Sequence, residues 1–177
     1  IRASSSPEGD TSEPVTQKTL RVVKVFWGLD SGLSQRRHFP AVDWLESYSL
    51  YLDEIGETIN QRTNMNWLGM VNRGMSILQN ESELQEIVQL VGVESLSDRD
   101  RITMMTARML REDYLQQNAY DDIDTYTSFD KQASMLSNIL HFDEKARETQ
   151  EYGATYSDIE NGTNQVRERI ARSKEIT

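Results

Sequence analysis

The stretch Leu84 to Tyr120, LQEIVQLVGVESLSDRDRITMMTARMLREDYLQQNAY, decides how this chain folds, and it reads as helix, acidic turn, helix and polar-aromatic loop. Leu84, Ile87, Val88 and Val91 fall at i, i+3, i+4 and i+7, the spacing of an apolar stripe that locks a short helix to a bundle. Gly92 follows the last of them and supplies the positive-φ residue that ends a helix. Ser97 is an N-cap, and Asp98 and Asp100 lie in the next turn, where the helix dipole favours carboxylates. Ile102, Met105 and Met109 carry the second helix forward to about Leu115. Gln116, Gln117, Asn118, Ala119 and Tyr120 have no helical stripe and offer amide donors and acceptors beside an aromatic ring, a loop suited to a planar polar ligand.

Outward from this stretch the chain is again mainly helical. Leu52, Ile55 and Ile59 begin a stripe that ends near Arg62, and Leu68, Val71, Met75 and Leu78 form another after the turn Thr63-Asn64. Gly69 and Gly74 within it leave room for a neighbouring helix. Thr127 or Ser128 caps a long helix through Phe129, Ala133, Leu136 and Leu140, with His141 on its flank and Gly153 closing it. The tail from Asn161 to Thr177 supports a short amphipathic helix at best.

Toward the N-terminus the pattern changes. Residues 1–13, IRASSSPEGDTSE, read as a loop, because Ser, Gly, Pro and acid bury too little apolar surface to order themselves. Val15 to Trp27 fits a strand by its β-branched and aromatic content, yet Leu20, Val23 and Trp27 also fit one helical face. Asp43 to Tyr51 alternates without a clear period, and Trp44 and Tyr48 cover a seam between elements. Arg36-Arg37-His38 reads either as a phosphate clamp or as a charged connector. Pro40 pushes Phe39 into an extended conformation that can present its ring outward, although a core Phe is the simpler reading.

Bulk properties exclude several functions. With 29 acidic against 19 basic residues the net charge is −10, which opposes direct binding to nucleic acid or an anionic membrane and favours a basic partner surface. Without cysteine there is no disulfide scaffold, thiolate metal site or cysteine nucleophile. His38 and His141 show no metal-ligand spacing, and the acids Asp121, Asp122 and Asp124 lack the order of a calcium loop and read as solvated carboxylates. No catalytic constellation and no metal site is expected. No stretch reads as a signal peptide or as an apolar run able to cross a bilayer, so the chain is expected to be soluble, and 177 residues suffice for one domain with a core.

Five blocks together resemble a known family. They are Ser12-Glu13-Pro14-Val15-Thr16-Gln17, Val25-Phe26-Trp27-Gly28-Leu29-Asp30, Arg36-Arg37-His38-Phe39-Pro40-Ala41, Leu84 to Gly92, and Arg111 to Tyr120. Their order and spacing resemble the C-terminal region of the catalytic A subunit of archaeal (A-type) and vacuolar (V-type) rotary ATPases. The resemblance implies a mainly α fold, with residues 1–47 as an extended or mixed remnant of the α/β nucleotide-binding domain and 48–177 as the C-terminal helical bundle. It makes the Val15–Trp27 stretch an orphan element whose sheet lies elsewhere. It implies a parent enzyme that binds ATP or ADP with Mg²⁺ beside B subunits and turns a central stalk coupled to proton or sodium translocation. Such a head is cytoplasmic and reaches the membrane only indirectly, through the ion-translocating sector.

By the same resemblance, Phe39, Pro40, Gln117, Asn118, Ala119 and Tyr120 form the adenine end of the nucleotide pocket, with the Phe39 and Tyr120 rings flanking the base. The turn Val93 to Arg101 corresponds to a stalk-contacting turn, with Glu94, Ser95, Leu96, Ser97, Asp98, Arg99 and Asp100 as contact residues and Leu96 as their apolar centre. No GxxxxGK[ST] occurs, so the groups that hold the phosphates are not encoded here and the chain alone is expected to be inactive. Two other readings share parts of this composition: a stand-alone acidic helical adaptor, against which the blocks in register argue, and a small nucleotide-binding enzyme, which would need the missing phosphate loop.

Overall fold

The computed structural model describes residues 14–176; the expected N-terminal loop, residues 1–13, lies outside them. The first elements are α1 (Pro14–Leu20), β1 (Val25–Leu29), α2 (Ser31–Gln35) and β2 (Val42–Ser49). The strands β1 and β2 pair antiparallel, with Val25 opposite Ser49, Phe26 opposite Tyr48, Gly28 opposite Asp43 and Leu29 opposite Val42. The register breaks between Phe26 and Gly28, where β2 bulges. Asp43 Oδ1 accepts from the amides of Leu45 and Glu46 at 2.7 and 3.0 Å and so satisfies backbone donors within the bulge. That bulge removes the period-two signal from residues 43–51, and it explains why the strand is not evident in the sequence. The Val15–Trp27 stretch is therefore helix followed by strand. Its strand has a partner within this chain and is not an orphan.

The bundle consists of α3 (Leu52–Thr63), α4 (Trp67–Val91), α5 (Asp98–Met109), α6 (Asp122–Thr125), α7 (Phe129–Glu151), α8 (Tyr156–Gly162) and α9 (Asn164–Ala171). Single 3₁₀ turns cover Val93–Ser95 and Arg172–Glu175, and a π-helical turn covers Leu110–Leu115. Sequence signals for the caps hold. Ser97 accepts from the Asp100 amide, Ser128 from the Lys131 amide, and the chain leaves α4 and α7 through Gly92 and Gly153 at φ +87° and +101°.

Two stripes expected as separate helices are one. α4 is continuous over 25 residues because nothing between Leu78 and Leu84 breaks a helix, and it is about 37 Å long. The tail forms the short helix expected of it, α9, which brings Ile170 against the core, and α8 before it begins with a reciprocal capping box between Thr155 and Asp158.

The core is built where α4, α5 and α7 meet. Ile77 and Leu78 of α4, Ile102, Met105 and Met109 of α5, Leu110, and Leu136, Ile139 and Leu140 of α7 are all buried, joined by Ile159 of α8. Gly74 faces α7 without being required there, since a Cβ would stand at an ordinary contact distance, 3.7 Å, from the Leu136 side chain. Gly69 differs: a Cβ would meet the Asn66 amide at 2.5 Å, the side chain that caps α4. A single acid ties the three helices. Asp143 of α7, 2% exposed, accepts from Arg73 of α4 at 3.0 Å, from Arg147 Nε at 3.0 Å and from Thr106 of α5 at 2.9 Å.

The C-terminal part of α4 leaves this core. Its buried residues are Gly74, Ile77, Leu78 and Glu81, and none follows Glu81. The stripe expected to lock Leu84–Val91 to the bundle is thus largely uncovered: Leu84 and Val88 are half-buried, whereas Ile87, Leu90 and Val91 are exposed. The helix outruns the neighbours that would cover it.

Candidate functional site

Two places in the fold gather the residues singled out by the sequence. The first is built by the segment after α2 and the loop after the π-helical turn. Phe39 lies in a bend between α2 and β2, two residues after Arg37 at φ +59°, and precedes Pro40 through a cis peptide bond. Its carbonyl accepts from the Gln117 amide at 2.7 Å, so two segments far apart in sequence are clamped side by side. The Phe39 ring is half-exposed and Tyr120 is fully exposed, so neither ring fills the core. Pro40 and Ala119 are exposed as well.

The amides of the loop are partly engaged. Gln117 Nε2 donates to the Asp124 carbonyl at 3.2 Å, the Asn118 amide donates to Asp124 Oδ2 at 2.7 Å, and Asn118 Oδ1 accepts from the Tyr120 amide at 3.1 Å. Asp124 is therefore not the solvated acid that the sequence suggested; it is buried and orders the loop. Asp121 caps α6 by accepting from the amides of Ile123 and Asp124. An Asp three residues before an Asp after a polar loop is a capping pattern, and that signal was available in the sequence.

His38 is buried and does not belong to an open phosphate clamp with Arg36 and Arg37, both of which are exposed. Its Nε2–H donates to the Arg111 carbonyl at 2.9 Å, and its ring lies 5.5 Å from that of Trp44. Arg111 in turn donates through Nε and Nη2 to both oxygens of Glu81, at 3.1 and 2.8 Å. Glu81 is 3% exposed. Its partner stands 30 residues away, a pairing that local patterns do not reveal.

Beside these groups, burial pushes the Tyr114 phenol up to about 12. Burial also raises the Asp113 carboxyl above the usual carboxylate range, with Lys174 opposing the shift. Among the described residues no group of three His, Cys, Asp or Glu side chains could hold a metal ion.

The second place is the tip formed by the end of α4 and the turn to α5. Leu96 is buried, 8% exposed, so it anchors the turn and cannot be the apolar centre of an outward contact. Glu94, Ser95, Ser97 and Arg99 are exposed, and Asp98 and Asp100 are half-buried. Most of the polar groups serve the turn itself: Arg101 donates to Glu94 at 2.7 Å, Ser95 to the Gly92 carbonyl at 2.7 Å and Ser97 to Asp100 at 2.7 Å. The apolar surface at the tip comes instead from Leu90, Val91 and Val93, exposed at 83, 65 and 48%. The stripe spacing contained this signal, but it did not reveal which side of the stripe is open.

Residues 56–175, the bundle from α3 onward, match the C-terminal domain of V and A type ATP synthase, and residues 1–49 match the nucleotide-binding domain of the ATP synthase alpha/beta family. The chain belongs to the V and A type ATP synthase family. Its relatives include the V-type ATP synthase alpha chains of Streptococcus sanguinis, 63% identical over 176 residues, and Streptococcus gordonii, 63% identical over 174 residues. The V-type ATP synthase alpha chain of Streptococcus pyogenes is 60% identical over 176 residues. The chain is covered to 99, 98 and 99% in these comparisons but spans only 30, 29 and 30% of the relatives. Among solved structures, an ATP synthase subunit of Nanoarcheaum equitans superimposes with a TM-score of 0.63 at 21% identity, over 78% of this chain and 32% of that one, a likeness of fold. The chain is therefore homologous to the C-terminal region of a V-type ATP synthase alpha chain.

Proposed function

We propose that this chain supplies the adenine end of the nucleotide pocket and the stalk-contacting domain of a rotary A/V-type ATPase. The observation that carries the reading is the 2.7 Å bond from the Gln117 amide to the Phe39 carbonyl. It brings together the two segments that hold an exposed aromatic ring each, as a site that sandwiches a purine requires. Phe39 and Tyr120 flank the base, with Gln117, Asn118 and Ala119 along its edge and Pro40 shaping the approach. Stacking on such rings contributes on the order of 1–3 kcal/mol per base. The phosphates and Mg²⁺ are held by parts of the parent subunit outside this chain, because the sequence has no phosphate-binding loop.

In this reading residues 1–47 close the nucleotide-binding domain, and 48–177 form the helical domain that works beside the B subunits of the cytoplasmic head. The tip at Leu90, Val91 and Val93, with Glu94, Ser95, Ser97, Asp98, Arg99 and Asp100 around it, meets the central stalk and couples ATP turnover to proton or sodium translocation. The exposed apolar side chains supply steric contact, and the charged rim sets orientation and encounter rate. Leu96 holds the turn in shape from inside. The stand-alone adaptor reading predicts no nucleotide effect at all.

The test is made in the assembled enzyme. Phe39→Ala and Tyr120→Ala should each raise the KM for ATP more than they lower turnover, while Leu90→Ser with Val93→Ser should leave nucleotide binding intact and reduce ions moved per ATP. Unchanged nucleotide affinity in both aromatic variants would remove the base site from this chain, and normal ion pumping in the tip variant would remove the stalk contact.

A further inference from the structure

We propose that Glu81, Arg111 and His38 form a strut that ties the base-binding segment to the root of the protruding part of α4, so that nucleotide occupancy sets the position of the tip. The inference rests on the reading of Phe39 as a base contact. Glu81 and Arg111 are positioning residues in it.

The chain of contacts is continuous. Beginning at the base segment, the Phe39 carbonyl accepts from Gln117 at 2.7 Å, and the neighbouring His38 donates to the Arg111 carbonyl at 2.9 Å. The same carbonyl accepts from the Gln116 amide at 3.0 Å, so residues 38 and 39 are both stapled to the stretch 111–117. From that stretch the Arg111 guanidinium reaches across to α4 and grips both oxygens of Glu81. A bidentate pair fixes direction as well as distance. Glu81 is the last buried residue of α4, and Val91, the end of the helix, lies ten residues or about 15 Å further on. The strut therefore holds α4 at the point where the bundle stops supporting it.

Three features separate this arrangement from ordinary packing. A buried ion pair is a poor source of stability, because an apolar pair of similar volume serves as well or better, so its use at this point is better explained by geometry than by stability. Arg111 stands on the π-helical turn Leu110–Leu115, which widens the helix at the residue that contacts both partners. The His38 ring is buried between Trp44, 5.5 Å away, and the Arg111 carbonyl, so the base-binding segment and the π-helical turn meet through one packed side chain.

Hydrogen exchange in the assembled enzyme tests the strut. In the wild type, ATP analogue binding should change the protection of amides 88–96 as well as those of 38–41 and 116–120. In Glu81→Gln and in Arg111→Met the change at 88–96 should be lost while that at 38–41 persists, and the charge-swapped double variant, Glu81→Arg with Arg111→Glu, should restore part of it. A response at 88–96 equal to wild type in the correctly folded single variants would overturn the strut, and so would a wild-type tip that does not respond to nucleotide. Failure of the base-site reading gives a different pattern, with no nucleotide response at 38–41 in any form of the enzyme and unaltered KM in Phe39→Ala. Circular dichroism of each variant establishes folding, and Leu136→Ala, a core change away from the strut, should lower the melting temperature without abolishing the tip response.

Discussion

Asp143→Asn is the most informative perturbation of the bundle. The carboxylate is 2% exposed and receives Arg73 of α4, Arg147 of its own helix and Thr106 of α5, all between 2.9 and 3.0 Å. Arg147 also donates to Thr103 of α5 at 3.0 Å, so the acid joins three helices through three direct partners, one of which reaches a second residue of α5. The amide keeps the volume of the acid but removes the negative charge and turns an N–H toward guanidinium donors. Removing one partner of a buried ion pair destabilises by about 3–5 kcal/mol. Here the lower end applies, since the Arg73 side chain is 43% exposed and can turn to water, whereas Arg147 at 25% has less freedom. The expected loss is about 3 kcal/mol, a large part of the roughly 5–15 kcal/mol that holds a domain of this kind. With a urea m-value of about 2 kcal/mol per molar, the midpoint should fall by about 1.5 M with little change in slope. Equilibrium urea unfolding followed by far-ultraviolet circular dichroism measures it. A fall of less than about 0.3 M would mean that the three helices are held by apolar packing alone and that the acid is dispensable.

Other outcomes follow from the same structure. Gly74→Ala should stabilise by about 0.5–1 kcal/mol, because the new Cβ meets Leu136 and Leu110 at ordinary contact distances, 3.7 Å and beyond, and a helix-interior glycine is removed; thermal unfolding reads it. Gly69→Ala should destabilise, because its Cβ would collide with the Asn66 side chain that caps α4. Asp113 carries a pH signature: its folded pKa is raised by burial, so its contribution is most favourable below the unfolded value of 3.8 and is lost as pH rises through the folded pKa. Asp113→Asn should accordingly be more stable than wild type at neutral pH, with the difference vanishing below about pH 3.8, as urea titrations at several pH values would reveal. Tyr120→Ala should leave the melting temperature of the chain unchanged, because the ring is fully exposed, and raise the KM for ATP in the assembled enzyme by about tenfold, equivalent to about 1.4 kcal/mol of lost stacking.

Local grammar in the sequence was enough for the helical class and for most helix ends. Ser97, Ser128, Gly92 and Gly153 each act within a turn of their own position, so their roles can be read without the fold. What escaped reading depends on distant partners. The polar run Gln79-Asn80-Glu81-Ser82-Glu83 separates the two stripes, but α4 passes through it because none of these residues breaks a helix, and Glu81 finds its partner Arg111 across the bundle. β2 escaped because its bulge spoils the alternation, and the hairpin became apparent only with its register. At the candidate site, Phe39 and the 117–120 loop follow from the resemblance, while the links from His38 to Arg111 and from Arg111 to Glu81 do not, since they join residues 73 and 30 positions apart that no window of sequence contains.

The hairpin bears on handling the chain by itself. Val25, Trp27 and Leu29 project from β1 with exposures of 43, 73 and 78%, on a ribbon of two strands with both outer edges unpaired among the described residues. A two-stranded ribbon is marginal in water, and an apolar face beside an open edge is a template on which a second copy adds its own strand. Concentrated preparations of the isolated chain should therefore assemble edge to edge, and Trp27→Lys, a charge on the open face, is the change that would keep them monodisperse.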